Sequence, residues 1–82
     1  MIASADLRAL LVNAFPDADL QLTDLTGGQD HWQAVIVSAA FAGVGPVARH
    51  RLVYQALAEE MKGPIHALSL TTLAPGEPRP TR

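Results

Sequence analysis

The chain of 82 residues contains no cysteine. It therefore offers no disulfide, no thiolate ligand for a metal and no thiol nucleophile of its own. Basic side chains are also scarce, with six lysines and arginines against eight acidic residues and a net charge of −2. Because binding to nucleic-acid phosphates draws on clustered basic residues, this composition disfavours a strongly basic nucleic-acid binder.

Long apolar runs are absent too. No stretch approaches the roughly 18 apolar residues that a membrane-spanning helix needs, and residues 1–7 lack the basic flank and apolar stretch of a signal peptide. The sequence thus predicts a cytoplasmic protein with no membrane partner. With 49% apolar residues, it has enough hydrophobic side chains for the single modest core that a chain of this length can build.

Hydrophobic periodicity predicts two helices and three strands in the order α-β-β-α-β. The expected elements are a helix capped by Ser4 and ended by Phe15-Pro16, a hairpin of strands at Leu20–Thr23 and His31–Ser38, a helix from about Val47 to Lys62 stopped by Gly63 and Pro64, and a last strand at Ile65–Leu73. A strand-helix-strand crossover is usually right-handed and makes its two strands parallel. We therefore expect an α+β fold with a three-stranded mixed sheet and both helices on one face.

Three histidines are the only side chains with nitrogen donors suited to a transition metal. They lie on three different predicted elements and lack the spacing of a known metal motif, so a structural role is favoured for each one alone. His50 projects from the second helix toward the core. His31 and His66 both stand at strand entrances, and if those strands are parallel, the two imidazoles lie at the same end of the sheet.

Other chemistry is sparse. No Ser/His/Asp arrangement is present, so we expect no enzymatic activity. Asp30 either orients the imidazole of its neighbour His31 or is a solvated turn carboxylate, and the second interpretation is favoured. Arg49 and Arg51 flank His50 and suit either phosphates or an acidic partner surface.

Several stretches of this sequence together resemble the BolA-like proteins. The matching residues are Val35-Ile36-Val37-Ser38, Phe41-Ala42-Gly43, Arg49-His50-Arg51-Leu52-Val53-Tyr54, Ala56-Leu57, Glu60-Met61, Ile65-His66-Ala67-Leu68 and Thr72-Leu73-Ala74-Pro75. The resemblance implies a single domain over residues 1–77, similar to the class II KH fold, and a flexible tail at 78–82. The chain lacks the Gly-x-x-Gly loop of KH domains, so KH-type RNA binding is not expected.

The resemblance also implies a partner and a cargo. BolA-like proteins form heterodimers with monothiol glutaredoxins and share a [2Fe–2S] cluster that the glutaredoxin cysteine and glutathione hold from the other side. The matching ligand here is His66 of the Ile-His-Ala-Leu motif, with His31 as the candidate from the loop between the first two strands. The implied role is a non-catalytic adaptor in iron–sulfur cluster assembly, trafficking or iron homeostasis.

Two further expectations follow from the resemblance. The isolated protein is expected to carry no cofactor and to be a monomer or a weak homodimer. The alternative function is a BolA-type DNA-binding transcriptional regulator in a stress, cell-shape or envelope response. It would use the long helix with Arg49, Arg51 and Lys62 against DNA phosphates, and its binding would be weak and salt-dependent. Arg49, His50 and Arg51 are the candidate contacts with a partner or a nucleic acid.

Overall fold

Two helices and three strands make up most of residues 1–78, the part of the chain that the computed structural model describes. In chain order the elements are α1 (Ser4–Ala14), β1 (Asp19–Asp24), β2 (His31–Val37), a 3-10 helix at Ala39–Phe41, α2 (Pro46–Ala56), a 3-10 helix at Glu60–Lys62 and β3 (Ala67–Leu73). The predicted α-β-β-α-β order is confirmed, with two short 3-10 helices added to it.

The three strands form one mixed sheet in the order β1-β2-β3. β1 and β2 are antiparallel, with Leu22 opposite Ala34. β2 and β3 are parallel, with His31 opposite Ala67, as expected for two strands joined through a helix. The predicted mixed sheet is therefore confirmed. Its entrance end, where β2 and β3 both begin, carries His31 and the residues just before Ala67.

One face of this sheet is buried because side chains alternate along each strand. In β2, Trp32, Ala34 and Ile36 are buried, whereas Gln33 between them is exposed. Side chains from both helices complete the core on that face, as the sequence predicted. The buried apolar residues that form one cluster are Ile2, Leu7, Leu11, Phe15, Leu20, Trp32, Ala34, Ile36, Phe41, Val53, Leu57 and Ile65.

Helix α1 begins at Ser4, one residue earlier than the prediction of a Ser4 cap requires. Ala3 occupies the N-cap position without a side-chain hydrogen bond, and Ser4 is the first helical residue, so the predicted Ser4 cap is wrong. Asp6 lies in the first turn, where a carboxylate interacts favourably with the helix dipole. Leu7 and Leu11 are buried at the i, i+4 spacing that the sequence indicated.

Helix α2 is shorter than predicted, because it ends at Ala56 rather than near Lys62. Leu57 leaves helical geometry with φ −110° and ψ 19°, and a 3-10 turn follows. Periodicity missed this break because Leu57 and Met61 keep helical spacing in the sequence. Met61 N–H also still donates to Leu57 O at 2.9 Å, the helical i to i−4 pattern. Gly63 has φ −147° and is not the left-handed cap that was expected. The break allows both Leu57 and Ile65 to be buried.

The segment after β3 is held against α2 by the side chain of Arg49. Arg49 Nη1 and Nη2 donate to the Glu77 carboxylate at 2.7 and 3.0 Å, and Glu77 Oε1 also accepts from Ala74 N–H at 2.8 Å. The predicted flexible tail lies outside the described residues except for Pro78. Within residues 1–78, neither helix is long and apolar enough to cross a membrane.

Candidate functional site

The two histidines at the entrance end of the sheet lie side by side. His31 is the first residue of β2, and His66 immediately precedes β3. Asp30 O accepts hydrogen bonds from the N–H groups of His66 and Ala67, at 2.8 and 3.1 Å, which joins the two strand entrances. The imidazole centroids are 5.0 Å apart, with the ring planes inclined at 54°. The approach of these imidazoles that the parallel pairing predicted is confirmed.

The loop before His31 is shaped by the carboxylate of Asp24. Asp24 Oδ1 accepts from Gly27 N–H at 2.9 Å, and its Oδ2 accepts from Gln29 N–H at 3.1 Å. Gly27 and Gln29 have φ values of +82° and +60°, which glycine adopts readily and other residues seldom do. Ile2 N–H donates to Gln29 O at 2.8 Å, so the N-terminal segment also holds this loop.

The Asp30 carboxylate is hydrogen-bonded to the imidazole of His31 and does not interact with solvent alone. Its Oδ1 lies 3.0 Å from His31 Nδ1, and it also accepts from Thr26 Oγ1 at 3.2 Å. The hydrogen bond from His31, with a smaller contribution from Thr26, holds the pKa of Asp30 below its usual range. The structure thus favours the orienting role of Asp30, the interpretation that the sequence made second.

This contact assigns a tautomer to His31. An ionised carboxylate can only accept, so His31 Nδ1 carries a proton, and in the neutral imidazole Nε2 then keeps its lone pair. Histidines that bind metals usually donate their other ring N–H to a carboxylate or carbonyl in this way. The His31 side chain is about one-third exposed, at 36%, and His66 is exposed, so both rings are open to an incoming group.

The donor set fits one side of a shared metal centre. Two imidazole nitrogens on one metal ion each lie about 2.0–2.1 Å from it, so their rings must be near neighbours. The 5.0 Å between these centroids meets that requirement. Among residues 1–78, no group of three or more histidines and carboxylates is arranged to hold a metal. A tetrahedral ion at this pair would take its other ligands from outside the chain.

The predicted partner or nucleic-acid contacts, Arg49, His50 and Arg51, all lie on α2. They are not part of the strand entrances that carry the imidazole pair. Arg49 is largely buried, with 12% of its side chain exposed, and besides Glu77 it donates to Val44 O and Thr72 O. His50 is half-buried, and Arg51 is exposed. Arg49 therefore has a structural role, whereas contact with a partner stays a prediction for all three.

Sequence reasoning missed Asp24 and Glu77. The signal for Asp24 was present, since an aspartate followed by glycine three residues later is typical of a turn in which the side chain accepts backbone N–H groups. Glu77 carried no such local signal, because its partner Arg49 is 28 residues away in the sequence.

Comparisons with known proteins show which family the chain is similar to. The BolA-like protein family matches residues 12–77. The chain is 38% identical over 80 residues to BolA-like protein 1 of Mus musculus, covering 89% of this chain and 58% of that protein. It is 52% identical over 46 residues to the DNA-binding transcriptional regulator BolA of Vibrio cholerae, covering 56% of this chain and 43% of the relative. The chain thus spans little more than half the length of the mouse relative.

A solved structure extends the likeness to the fold. BolA1 from Arabidopsis thaliana superposes with a TM-score of 0.84 at 32% identity, covering 93% of this chain and 95% of the other. The fold and site define a small α+β domain that presents two imidazoles at one end of a mixed sheet. The chain belongs to the BolA-like family. None of these three relatives has a name that describes an enzyme.

Proposed function

We propose that this chain is a non-catalytic adaptor that binds a monothiol glutaredoxin and contributes His66 and His31 to a [2Fe–2S] cluster. The observation that carries the proposal is the 5.0 Å separation of the two imidazole centroids at the entrance end of the sheet. In this role the protein acts in the cytoplasm, in cluster assembly, trafficking or iron homeostasis, and carries no cluster when isolated.

The ligands of the cluster come from both proteins of the complex and from glutathione. His31 and His66 supply neutral nitrogen donors, and Asp30 accepts from His31 Nδ1, which leaves His31 Nε2 as the metal-binding nitrogen. The chain has no cysteine, so the thiolates come from the glutaredoxin and from glutathione. Histidine in place of thiolate on one iron lowers the negative charge of such a cluster and raises its reduction potential. A mixed donor set therefore distinguishes this complex from a glutaredoxin homodimer held by thiolates alone.

The test is reconstitution of the complex with a monothiol glutaredoxin, glutathione, iron and sulfide, followed by visible absorption and circular dichroism. The wild-type chain should produce a spectrum distinct from that of the glutaredoxin alone. His66→Ala should reduce this spectrum most and His31→Ala less, because each variant removes one nitrogen donor.

Gln21→Ala is the control, since it removes an exposed polar side chain on β1 that has no part in the proposed site. It should leave the spectrum unchanged. Identical spectra for the wild type and His66→Ala would disprove the ligand assignment. Loss of the spectrum in all three variants would indicate a general effect on folding or on docking. Far-ultraviolet circular dichroism of the variants would distinguish a loss of folding from a loss of docking.

The second candidate is a DNA-binding regulator, which is what the name of the Vibrio cholerae relative describes. Arg51 is exposed and has no bonded partner among residues 1–78, so it is available for a phosphate. Arg49 is less suited, because its guanidinium is already bonded to Glu77. Gel shifts that persist at physiological salt and depend on DNA sequence would favour this candidate over the adaptor.

A further inference from the structure

An open groove of about 700 Å³ lies between α1 and the segment that joins α2 to β3. Its walls, called the α1 groove below, include Ile2, Asp6, Ala9, Leu10, Glu60 and Pro64. Asp6, Ala9 and Leu10 share one face of α1, because residues three and four positions apart are neighbours on a helix. Leu10 and Pro64 are half-buried, so water still reaches apolar surface inside the groove.

Among residues 1–78, the α1 groove is lined by two carboxylates and by no lysine or arginine. Asp6 is exposed and Glu60 is half-buried, and neither side chain has a hydrogen bond or an ion pair in this part of the chain. Met1 also borders the groove, and its amine pairs with neither carboxylate there. Lys62 is near Glu60 in the sequence, but its amine donates to Glu59 at 3.2 Å. A half-buried carboxylate without a partner has lost part of its hydration, so the groove is suited to a cation from outside.

The α1 groove reaches the entrance end of the sheet. Pro64 lies two residues before His66, and two residues span at most about 7 Å of chain. On the other wall, Ile2 N–H donates to Gln29 O at 2.8 Å, and Gln29 lies two residues before His31. Each wall is thus tied to a segment that carries one imidazole. A protein that binds at the imidazole pair from outside therefore lies next to the groove.

We propose that the α1 groove receives a segment of the glutaredoxin in which a large apolar side chain is next to a lysine or arginine. The apolar side chain covers Leu10 and Pro64, and the basic side chain pairs with Glu60 or with Asp6. Because this contact rests on the proposed adaptor function, it is a second attachment of the same partner, beside the shared cluster. Two attachments to one partner reinforce each other, since the second forms at a high effective concentration.

Charge selects this occupant over others that an open groove could take. A nucleic acid brings phosphates, which the two carboxylates repel. A second copy docked groove to groove places Asp6 and Glu60 near their own counterparts, and like charges facing each other across an interface are unfavourable. An uncharged apolar segment covers Leu10 and Pro64 but leaves Glu60 desolvated without a counter-charge. A segment that is both apolar and basic is complementary to both parts of the groove.

The test is a titration of cluster-loaded monothiol glutaredoxin, in the presence of glutathione, with the chain, followed by visible circular dichroism. Glu60→Lys replaces an attraction by a repulsion, so the chain concentration at half-maximal change should rise about tenfold. Ala9→Trp places a bulky side chain in the groove from an exposed helix position and should raise this midpoint by a similar factor without a change of charge. Both final spectra should equal that of the wild type, because His31 and His66 are unchanged.

Glu59→Lys and Val12→Trp are the matched controls, and far-ultraviolet circular dichroism verifies that every variant is folded. Glu59→Lys makes the same charge change one residue away, on an exposed side chain outside the groove. Val12→Trp adds bulk to α1 at an exposed position that does not border the groove. Neither should move the midpoint by more than about twofold. The wild-type midpoint should also rise with salt, and more steeply than that of Glu60→Lys.

A wild-type midpoint in either Glu60→Lys or Ala9→Trp, or equal effects of Glu59→Lys and Glu60→Lys, would overturn the proposed contact. The adaptor function would stand in that case, provided that the wild-type chain still changes the glutaredoxin spectrum. If the wild-type chain does not change that spectrum at all, both proposals are wrong. His66→Ala separates the two roles, since loss of a ligand alters the final spectrum rather than the midpoint alone. If the groove variants instead change the sedimentation of the isolated chain, a second copy occupies the groove and the proposed contact is wrong.

Discussion

At the scale of single residues, Asp30 determines which nitrogen of the neutral His31 imidazole carries the proton. Its side chain bonds His31 Nδ1, and its backbone carbonyl accepts from His66 and Ala67. One residue thus orients one imidazole through its side chain and positions the other through its main chain. Asp24 supports both contacts indirectly, because it holds the loop that leads to Asp30.

Asp30→Ala removes the carboxylate and keeps the backbone carbonyl. We expect His31 to populate both neutral tautomers, and the reconstituted cluster to be lost about tenfold more readily, as is typical when the hydrogen-bond partner of a metal ligand is removed. Nitrogen NMR shifts of His31 report the tautomer, and the rate at which visible absorption decays reports cluster loss. Glu59→Gln, an exposed carboxylate change outside the candidate site, is the control. A wild-type His31 protonated mainly at Nε2 would contradict this assignment.

The sequence predicted the location of both imidazoles but not the role of Asp30. Periodicity places His31 and His66 at strand entrances, and the parallel crossover then brings those entrances together. The direction of the Asp30 side chain depends on the turn before it, where Gln29 has positive φ. Sequence adjacency to His31 does not determine that geometry, so the carboxylate appeared more simply as a solvated turn residue.

At the scale of elements, Arg49 ties three segments together. Its guanidinium bonds Val44 O before α2, Thr72 O in β3, and Glu77 beyond β3. A planar guanidinium suits this role because it donates in several directions and binds a carboxylate through two parallel hydrogen bonds. Arg49 therefore fixes the start of α2 against the end of the sheet opposite the histidines.

The pH dependence of stability in Glu77→Gln tests how much the Arg49–Glu77 ion pair stabilises the fold. Arg49, followed by Ala74 N–H, lowers the pKa of Glu77 from 4.5 to about 2. A carboxylate whose pKa falls on folding stabilises the native state above its unfolded pKa, and that contribution is lost as pH falls through the folded value. Glu77→Gln should therefore unfold at a lower temperature than the wild type at pH 7. The difference should shrink between about pH 4.5 and about pH 2.

Thermal unfolding followed by circular dichroism at several pH values measures this difference. Glu59→Gln is the control, because the only ion pair of Glu59 among residues 1–78 is with the exposed Lys62 at 3.2 Å, and such a pair contributes little. A Glu77→Gln deficit that stays constant from pH 7 to pH 2 would show that the charge of Glu77 does not stabilise the fold.

Element boundaries were less predictable than element order. The pattern of α2 continued to Lys62 in the sequence because Leu57 and Met61 keep helical spacing, yet the backbone leaves the helix at Leu57. What decides the break is tertiary, since Leu57 and Ile65 are both buried against the sheet. Local periodicity carries no information about that requirement.

At the scale of the whole molecule, the Phe15–Phe41 ring contact and the candidate site lie at opposite ends of the sheet. Phe15 follows α1 and Phe41 follows β2, and their ring centroids are 5.2 Å apart with the planes inclined at 52°. His31 lies at the other end of β2, six residues before Val37. Stability at the Phe15–Phe41 end and ligand binding at the entrance end should therefore respond to substitution independently.

Phe41→Leu tests that independence. Phe41 is fully buried, so the smaller side chain leaves a small cavity and removes the aromatic contact with Phe15. We expect a loss of about 1–2 kcal/mol in the free energy of unfolding. Urea unfolding followed by the fluorescence of the single tryptophan, Trp32, which is 3% exposed, measures this loss.

The Phe15→Leu, Phe41→Leu double variant should lose less stability than the sum of the two single losses, because either change alone removes the shared ring contact. The spectrum of the reconstituted complex should remain that of the wild type in Phe41→Leu, and a changed spectrum in a folded variant would show that the two ends of the sheet are coupled.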